Sequence, residues 1–278
     1  MTNERIANQF AKLQTNHEHA FIPFLTVGDP TPELFIQLIQ KIEPYSDVIE
    51  LGIPFSDPIA DGPVIQNANQ RVLRQGVSLK QVIQLIGQVR ALTQKPIALL
   101  TYANVIGVTE NSRQEMLTAL AKVGVDGIII ADVPTEESLP FKQDLNQVGM
   151  DLIYLAAPTT KADRLEKIAE NASGYLYLVS VKGTTGARTT VLDETAETIR
   201  RVTSTLKARK GTKIPVCVGF GISTPDHVKE ILKLGADGVI VGSAIIKIIE
   251  NFKDQPTEMI QTILKFVQDM KSATKKPS

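Results

Sequence analysis

The feature that most constrains the fold is a regular alternation of short apolar runs with longer segments of helical periodicity. Each short run has the length and composition of a buried strand, and apolar residues recur every three or four positions in the segments between them. Eight such runs occur, at residues 20–26, 47–52, 97–102, 126–131, 151–156, 174–179, 215–219 and 237–241. Strands that alternate with helices favour a parallel sheet covered by those helices.

Eight β/α units in a chain of 278 residues predict an α/β protein, a single (β/α)8 TIM barrel, since such barrels typically contain about 250 residues. Helical spacing of Ile6, Phe10 and Leu13 predicts an extra N-terminal helix over about 3–13 that covers the base of the barrel. An open doubly wound sheet is the alternative, but no Gly-x-Gly-x-x-Gly motif follows the first strand. No stretch resembles a linker, so we expect one domain over residues 1–278.

Composition argues against several classes of partner and location. The chain has 30 basic and 30 acidic residues, which makes nucleic acid and membrane surfaces poor candidates as partners. No apolar segment approaches the roughly 20 residues of a membrane span, and no signal-peptide pattern follows the first residues. The single cysteine, Cys217, lies in an apolar run and is expected in the core of a protein from a reducing compartment. We therefore expect a cytoplasmic protein.

The second apolar run carries a carboxylate in mid-strand. Because side chains alternate along a strand, Val48, Glu50 and Gly52 share one face, while Ile49 and Leu51 share the other. An unpaired carboxylate that is buried usually keeps its proton, which raises its pKa. A raised pKa is what a general acid needs near neutral pH. The structural alternative is an ion pair between Glu50 and an Arg or Lys.

This strand leads into an acidic loop that three prolines stiffen by fixing φ and restricting the preceding residues. The loop carries Asp57 and Asp61 above the end of the strand. Because the carboxyl ends of the strands form the active face of a barrel, Asp61 is predicted to lie near Glu50. Asp57 is explained equally well as a turn cap.

Later units contribute further candidate residues to the same face. The sixth run carries Tyr177 and precedes a polar segment, 180–188, that is long enough to act as a lid. Glycine-containing loops at 219–225 and 242–244 join the last two strands to helices, and such loops often bind phosphate through backbone N–H groups. The alternatives are a core aromatic at Tyr177 and glycines that only form tight turns.

The strand and acidic loop together closely resemble the signature of the tryptophan synthase α subunit family, in the stretch ELGIPFSDPIADGPVIQ at 50–66. The resemblance extends through 21–30, 102–104, 131–134 and both glycine loops, and so covers essentially the whole chain. Members of this family are (β/α)8 barrels of tryptophan biosynthesis that cleave indole-3-glycerol phosphate into indole and glyceraldehyde 3-phosphate. The resemblance therefore implies a carbon–carbon lyase.

Motif matching then implies roles for individual residues. Glu50 matches the acid/base glutamate, Asp61 the substrate-orienting aspartate and Tyr177 the active-site tyrosine of the family. The matching positions of the indole pocket are Phe21, Leu100, Ile129 and Ile240. The matching positions of the phosphate site and lid are Thr185, Gly186, Phe220, Gly221, Gly242 and Ser243. The lid departs from the usual Gly-Val-Thr-Gly, because it reads Gly-Thr-Thr-Gly at 183–186 and follows Lys182.

The chemistry of these residues agrees with the implied retro-aldol reaction. The reaction protonates indole C3, removes a proton from the adjacent side-chain hydroxyl and develops positive charge on the ring nitrogen. Glu50 can perform the proton transfers and an ionised Asp61 can accept a hydrogen bond from N1–H. No metal or cofactor motif is apparent. The resemblance places pyridoxal phosphate only in a β subunit, the expected partner in an α2β2 heterotetramer through which indole passes directly.

Three other functions stay open at this stage. The first is a free-standing indole-3-glycerol-phosphate lyase that releases indole without a partner. The second is another phosphate-sugar barrel enzyme, such as a ketose isomerase, which also uses paired carboxylates. The third is a non-catalytic regulatory subunit, and the presence of both Glu50 and Asp61 argues against it.

Overall fold

The computed structural model describes residues 4–179, 188–208, 214–219 and 221–275, and within these ranges nine parallel strands form one sheet. The strands are β1 Ala20–Thr26, β2 Ile49–Gly52, β3 Ile97–Thr101, β4 Gly127–Ile130, β5 Asp151–Leu152, β6 Tyr154–Ala156, β7 Leu176–Leu178, β8 Val216–Val218 and β9 Gly238–Val241. Every predicted run contains a strand.

The order of the strands in the sheet is β5-β4-β3-β2-β1-β9-β8-β7-β6, which is the order of a barrel. The two ends of the sheet, β5 and β6, are pieces of the single run predicted at 151–156, and Ile153 separates them. The sheet therefore curls into a nearly closed ring whose one opening lies within the fifth predicted strand. The prediction of a (β/α)8 barrel is confirmed.

Helices connect the strands on the outside of the barrel. They are α1 Arg5–Thr15, α2 Pro32–Ile42, α3 Pro63–Arg74, α4 Leu79–Leu92, α5 Ala103–Ile106, α6 Glu110–Lys122, α7 Leu139–Val148, α8 Ala162–Asn171, α9 Arg188–Ala208, α10 Pro225–Lys233, α11 Ser243–Phe252 and α12 Pro256–Ser272. Across the ranges given above, none of these helices combines the length and the apolar character that crossing a bilayer requires.

The core has two layers, and the alternation of side chains along the strands separates them. One cluster fills the inside of the barrel and includes Val48 and Cys217, while Ile49 and Leu51 belong to a larger cluster between the strands and the helices. This assignment of faces around Glu50 agrees with the sequence. The predicted N-terminal helix is also confirmed, because the buried residues of α1 pack with the inner cluster.

Candidate active site

Glu50 lies on β2 with its side chain fully buried. Its Oε2 accepts a hydrogen bond of 2.9 Å from the hydroxyl of Tyr175, while Oε1 has no hydrogen-bond partner among the described residues. Burial raises the pKa of Glu50 to about 8, and the hydrogen bond from Tyr175 opposes part of that rise. Within the described part of the chain, no Arg or Lys forms an ion pair with Glu50. The carboxyl group is therefore held protonated at neutral pH with one oxygen free to react.

Asp61 is half-buried on the loop that follows β2. Its Oδ2 accepts a hydrogen bond of 3.2 Å from Nδ2 of Asn69 on α3, and the carboxylate also bonds with the hydroxyl of Tyr102. Burial raises the pKa of Asp61, and these two hydrogen bonds oppose the rise. The ring of Tyr102 stacks on Phe55 with 5.0 Å between centroids, and its hydroxyl accepts a bond of 3.3 Å from the N–H of Ala60.

Two tyrosines at the seventh strand face the inside of the barrel, two positions apart. Tyr175 is completely buried beside Glu50, and Tyr177 is partly buried. The pKa of Tyr177 is raised well above its ordinary value, first by burial and then by the negative charges of Glu50 and Asp61. Tyr177 therefore lies near both carboxylates.

The inside of the barrel provides an apolar wall near these carboxylates. Ile129 and Ile240 belong to the inner cluster, and the partly buried Leu100, Leu155 and Tyr177 pack against it. A separate cavity of about 580 Å³ opens between the loops that follow β4 and β6, and among the described residues its lining includes neither carboxylate and none of the predicted indole-pocket residues. The structure thus brings three of the four predicted indole-pocket residues to one apolar surface.

The structure does not bring Phe21 to this surface. Phe21 packs in the outer cluster between the strands and the helices, because odd-numbered side chains of β1 point away from the inside of the barrel. Phe24 also packs with that cluster, but it lies beside Glu50 in the register of β1 and β2 and so takes the inner position. A Cβ atom added to Gly52 or Gly242 would lie 2.6 Å or 2.9 Å from its ring, so these glycines leave room for Phe24.

The two glycine loops join strands to helices as predicted. Gly242 is the N-cap residue of α11, and no side chain caps this helix among the described residues, although Thr224 caps α10. The first N–H groups of α11, beginning at Ser243, therefore lack partners within the helix. Gly221 has φ of +63°, and a Cβ added there would meet nothing within 4 Å. Phe220, Thr185 and Gly186, with the rest of the lid at 180–187, lie outside the described residues.

Four further residues belong to the site although the sequence did not single them out, namely Phe24, Asn69, Tyr102 and Tyr175. Tyr175 could have been found, because it shares a strand face with Tyr177. Asn69 had no local signal, since it lies on a helix whose position depends on the whole fold. In the described ranges, no group of three or more His, Cys, Asp or Glu side chains could hold a metal ion.

Comparisons with known proteins point to one family. The family model described as tryptophan synthase alpha chain matches residues 10–275. The tryptophan synthase alpha chain of Prochlorococcus marinus subsp. pastoris is 40% identical over 98% of this chain and 94% of its own length. That of Methanocaldococcus jannaschii is 42% identical over 90% of this chain and 86% of its own length.

Solved structures of the same family have the same fold. Tryptophan synthase subunit alpha from Legionella pneumophila str. Paris matches with a TM-score of 0.86 and 33% identity, covering 97% of this chain and 98% of that one. A chain of the tryptophan synthase complex from Pyrococcus furiosus matches with a TM-score of 0.79 and 34% identity, covering 91% and 98%. The chain belongs to the tryptophan synthase alpha chain family of lyases in tryptophan biosynthesis.

Proposed function

We propose that Glu50 and Asp61 carry out the cleavage of indole-3-glycerol phosphate into indole and glyceraldehyde 3-phosphate inside this barrel. The family makes the protein a carbon–carbon lyase, and the proposal concerns which residues do the chemistry. One observation carries it: Glu50 is a fully buried carboxyl group with one oxygen lacking a hydrogen-bond partner among the described residues. A group in this state is suited to exchange protons with a bound substrate.

Glu50 acts first as an acid and then as a base. With a pKa of about 8 it holds a proton at neutral pH, which it gives to C3 of the indole ring. The bond between C3 and the glycerol side chain then breaks. The resulting carboxylate takes the proton of the hydroxyl on the adjacent carbon, which becomes the aldehyde. Glu50 is thereby protonated again, so each turnover leaves the enzyme unchanged.

Asp61 stabilises the charge that develops on the ring. Protonation of C3 makes the ring nitrogen positive, and an ionised Asp61 accepts a hydrogen bond from N1–H. Tyr102 and Asn69 hold the carboxylate through hydrogen bonds that also lower its pKa. Tyr177 lies near both carboxylates, whose negative charges raise its pKa, and it contacts the substrate between them.

The apolar wall determines which substrate fits. Leu100, Ile129, Leu155 and Ile240 enclose the indole ring, and Phe24, which lies beside Glu50 in the sheet, takes the place first given to Phe21. An aromatic ring gains free energy from such a wall, at about 25 cal/mol per Å² of apolar surface buried. A ketose isomerase would not need this apolar surface, which is why we favour the indole substrate.

The phosphate group binds at the N-terminus of α11. The uncapped N–H groups after Gly242 supply donors and the positive end of the helix dipole, and Gly221 offers an open backbone after the neighbouring strand β8. The residues outside the described ranges, Thr185, Gly186 and Phe220, complete this site in our proposal.

Ser243→Asp is expected to raise the KM for indole-3-glycerol phosphate at least about tenfold, because a carboxylate would repel the phosphate at close range. Ser243→Ala is the matched control, since it keeps the backbone N–H and should change KM by less than about twofold. Steady-state kinetics of indole release measures both. Equal KM values for the two variants would place the phosphate elsewhere.

A tryptophan synthase alpha chain has a β subunit as its partner. We propose that this chain joins the β subunit in an α2β2 complex, in which pyridoxal phosphate stays with β and indole passes between the sites, and that the protein works in the cytoplasm. The docking face is the carboxyl end of the barrel. The loops after β2 and β3 expose Ile59 and Val108 there, and the start of α7 exposes Leu139, with Ile59 81% exposed. Exposed apolar side chains grouped on one face are typical of an interface.

Adding a β subunit is expected to raise the rate of indole release, because docking on this face would order the loops around the substrate. Ile59→Lys should raise the half-saturating concentration of β at least about tenfold, since burying an isoleucine is worth about 1.5–3 kcal/mol. Leu92→Lys, at the opposite face of the barrel, is the control. The activity without β reports the chemistry of the barrel alone, and the ratio of stimulated to basal activity reports docking. Equal activity with and without β would favour the free-standing lyase.

A further inference from the structure

We infer that Asn69 is a positioning residue for the lyase reaction, which fixes the orientation and the charge of Asp61 from outside the acidic loop. This inference rests on the proposed role of Asp61. Asn69 does not touch the substrate, and its effect on the reaction is transmitted through the carboxylate to which it donates a hydrogen bond.

The first observation is the burial of the Asn69 side chain. It is only 3% exposed, on the face of α3 that also buries Ala68 and Val72. A polar amide in such a position costs free energy unless it is hydrogen-bonded, and an apolar side chain would serve packing better. Its Nδ2 lies 3.2 Å from Oδ2 of Asp61. The buried amide is therefore hydrogen-bonded to a residue of the active site and does more than fill space in the core.

The second observation is that α3 is fixed relative to the barrel. Arg71, two residues after Asn69, donates two hydrogen bonds of 2.9 Å to the carboxylate of Asp29, which is fully buried after β1. Two parallel hydrogen bonds between a guanidinium group and a carboxylate fix the position and the relative orientation of the two groups. The helix thus presents Asn69 from a rigid position. Gln66 adds a bond of 2.8 Å to the carbonyl of Asp61, which ties the loop to the same helix.

The third observation concerns charge. Asp61 is half-buried, which favours its neutral form, and the hydrogen bonds from Tyr102 and Asn69 favour the ionised form. In the ionised form neither oxygen of Asp61 carries a proton, so either can accept a hydrogen bond from the indole N1–H. Loss of the Asn69 donor should therefore lower the ionised fraction of Asp61 at low pH and leave the carboxylate less well oriented.

The test is Asn69→Ala. We expect kcat to fall about tenfold, which is about 1.4 kcal/mol, with KM changed by less than about threefold, because N1 becomes charged only as the reaction proceeds. The acid limb of the kcat/KM profile should move to higher pH. Asn69→Asp should move it further, because a second carboxylate beside Asp61 opposes ionisation.

Asn67→Ala is the matched control, with the same chemical change on the same helix. Asn67 is exposed, and its Nδ2 bonds to Glu250 at 3.2 Å, away from Asp61. This variant should keep the wild-type pH profile and kcat. Thermal unfolding of each variant confirms that it is folded.

A double-mutant cycle with Asp61→Asn decides between positioning and a structural role. If Asn69 acts through Asp61, Asn69→Ala should have little further effect in the Asp61→Asn protein. An equal loss in both backgrounds, or an acid limb that does not move, would overturn the inference and leave the proposed function intact. Near-full activity of Asp61→Asn alone would instead overturn the role of Asp61, and the inference with it.

Discussion

Glu50→Gln is expected to lower the rate of indole release at least about 100-fold at saturating substrate, the loss typical of removing a general acid. Glutamine matches the shape of the protonated carboxyl group and its NH2 can occupy the same space, so the barrel should fold normally. It cannot give up a proton to indole C3, and it cannot take one from the hydroxyl afterwards. Both proton transfers assigned to this position are therefore lost together.

The matched control is Glu115→Gln, the same change at an exposed position on α6. It should leave kcat and KM unchanged. Circular dichroism and thermal unfolding would verify that both variants are folded. If Glu50→Gln released indole at close to the wild-type rate, the proton transfers would have to be reassigned to another group, and Tyr177 would be the first to consider.

A second large effect is expected on stability. The pKa of Glu50 is about 8 in the folded barrel, against 4.5 for an ordinary glutamate, because burial favours the protonated form. Between these two pH values the unfolded chain binds fewer protons than the folded protein, so stability falls as pH rises from about 4.5 to about 8. Each pKa unit is worth about 1.4 kcal/mol, so this position alone removes at most about 5 kcal/mol over that window.

Glu50→Gln should lack that loss, because glutamine does not titrate. The free energy of unfolding of the variant minus that of the wild type should therefore grow with pH through the window and level off above about pH 8. Urea denaturation at a series of pH values measures this difference directly, and other titrating groups cancel in the subtraction. A difference that stays constant from pH 5 to pH 9 would show that Glu50 ionises in the barrel as it does in the unfolded chain.

The sequence predicted the positions of the strands because every unit repeats the same pattern. It also grouped Glu50 with Val48 on one face of the strand, and the structure shows that this face lies inside the barrel. The break at Ile153 had no such signal, because the whole run at 151–156 is apolar or small after its first residue. Whether that run forms one strand or two depends on how the ring closes.

Phe21 and Phe24 show where a local pattern stops being informative. All seven residues of β1 are buried, so polar and apolar side chains do not alternate and neither face is marked. The pairing of Phe24 with Glu50 across β1 and β2, and the approach of its ring to Gly52 and Gly242, show which phenylalanine points inward. Asn69 is a similar case, since its contact with Asp61 depends on how α3 packs beside the acidic loop. Relations of this kind are set by tertiary structure and not by spacing in the sequence.

The central claim is that Glu50 holds a proton at neutral pH, and the direct measurement is the titration of its carboxyl carbon. Protein labelled with ¹³C at glutamate side-chain carboxyls can be followed by NMR from pH 4 to pH 10, and the resonance that disappears in Glu50→Gln belongs to this residue. The account predicts a protonated carboxyl at pH 7 and a midpoint near 8. A carboxylate already ionised at pH 6, with a midpoint near the ordinary value of about 4.3, would contradict it.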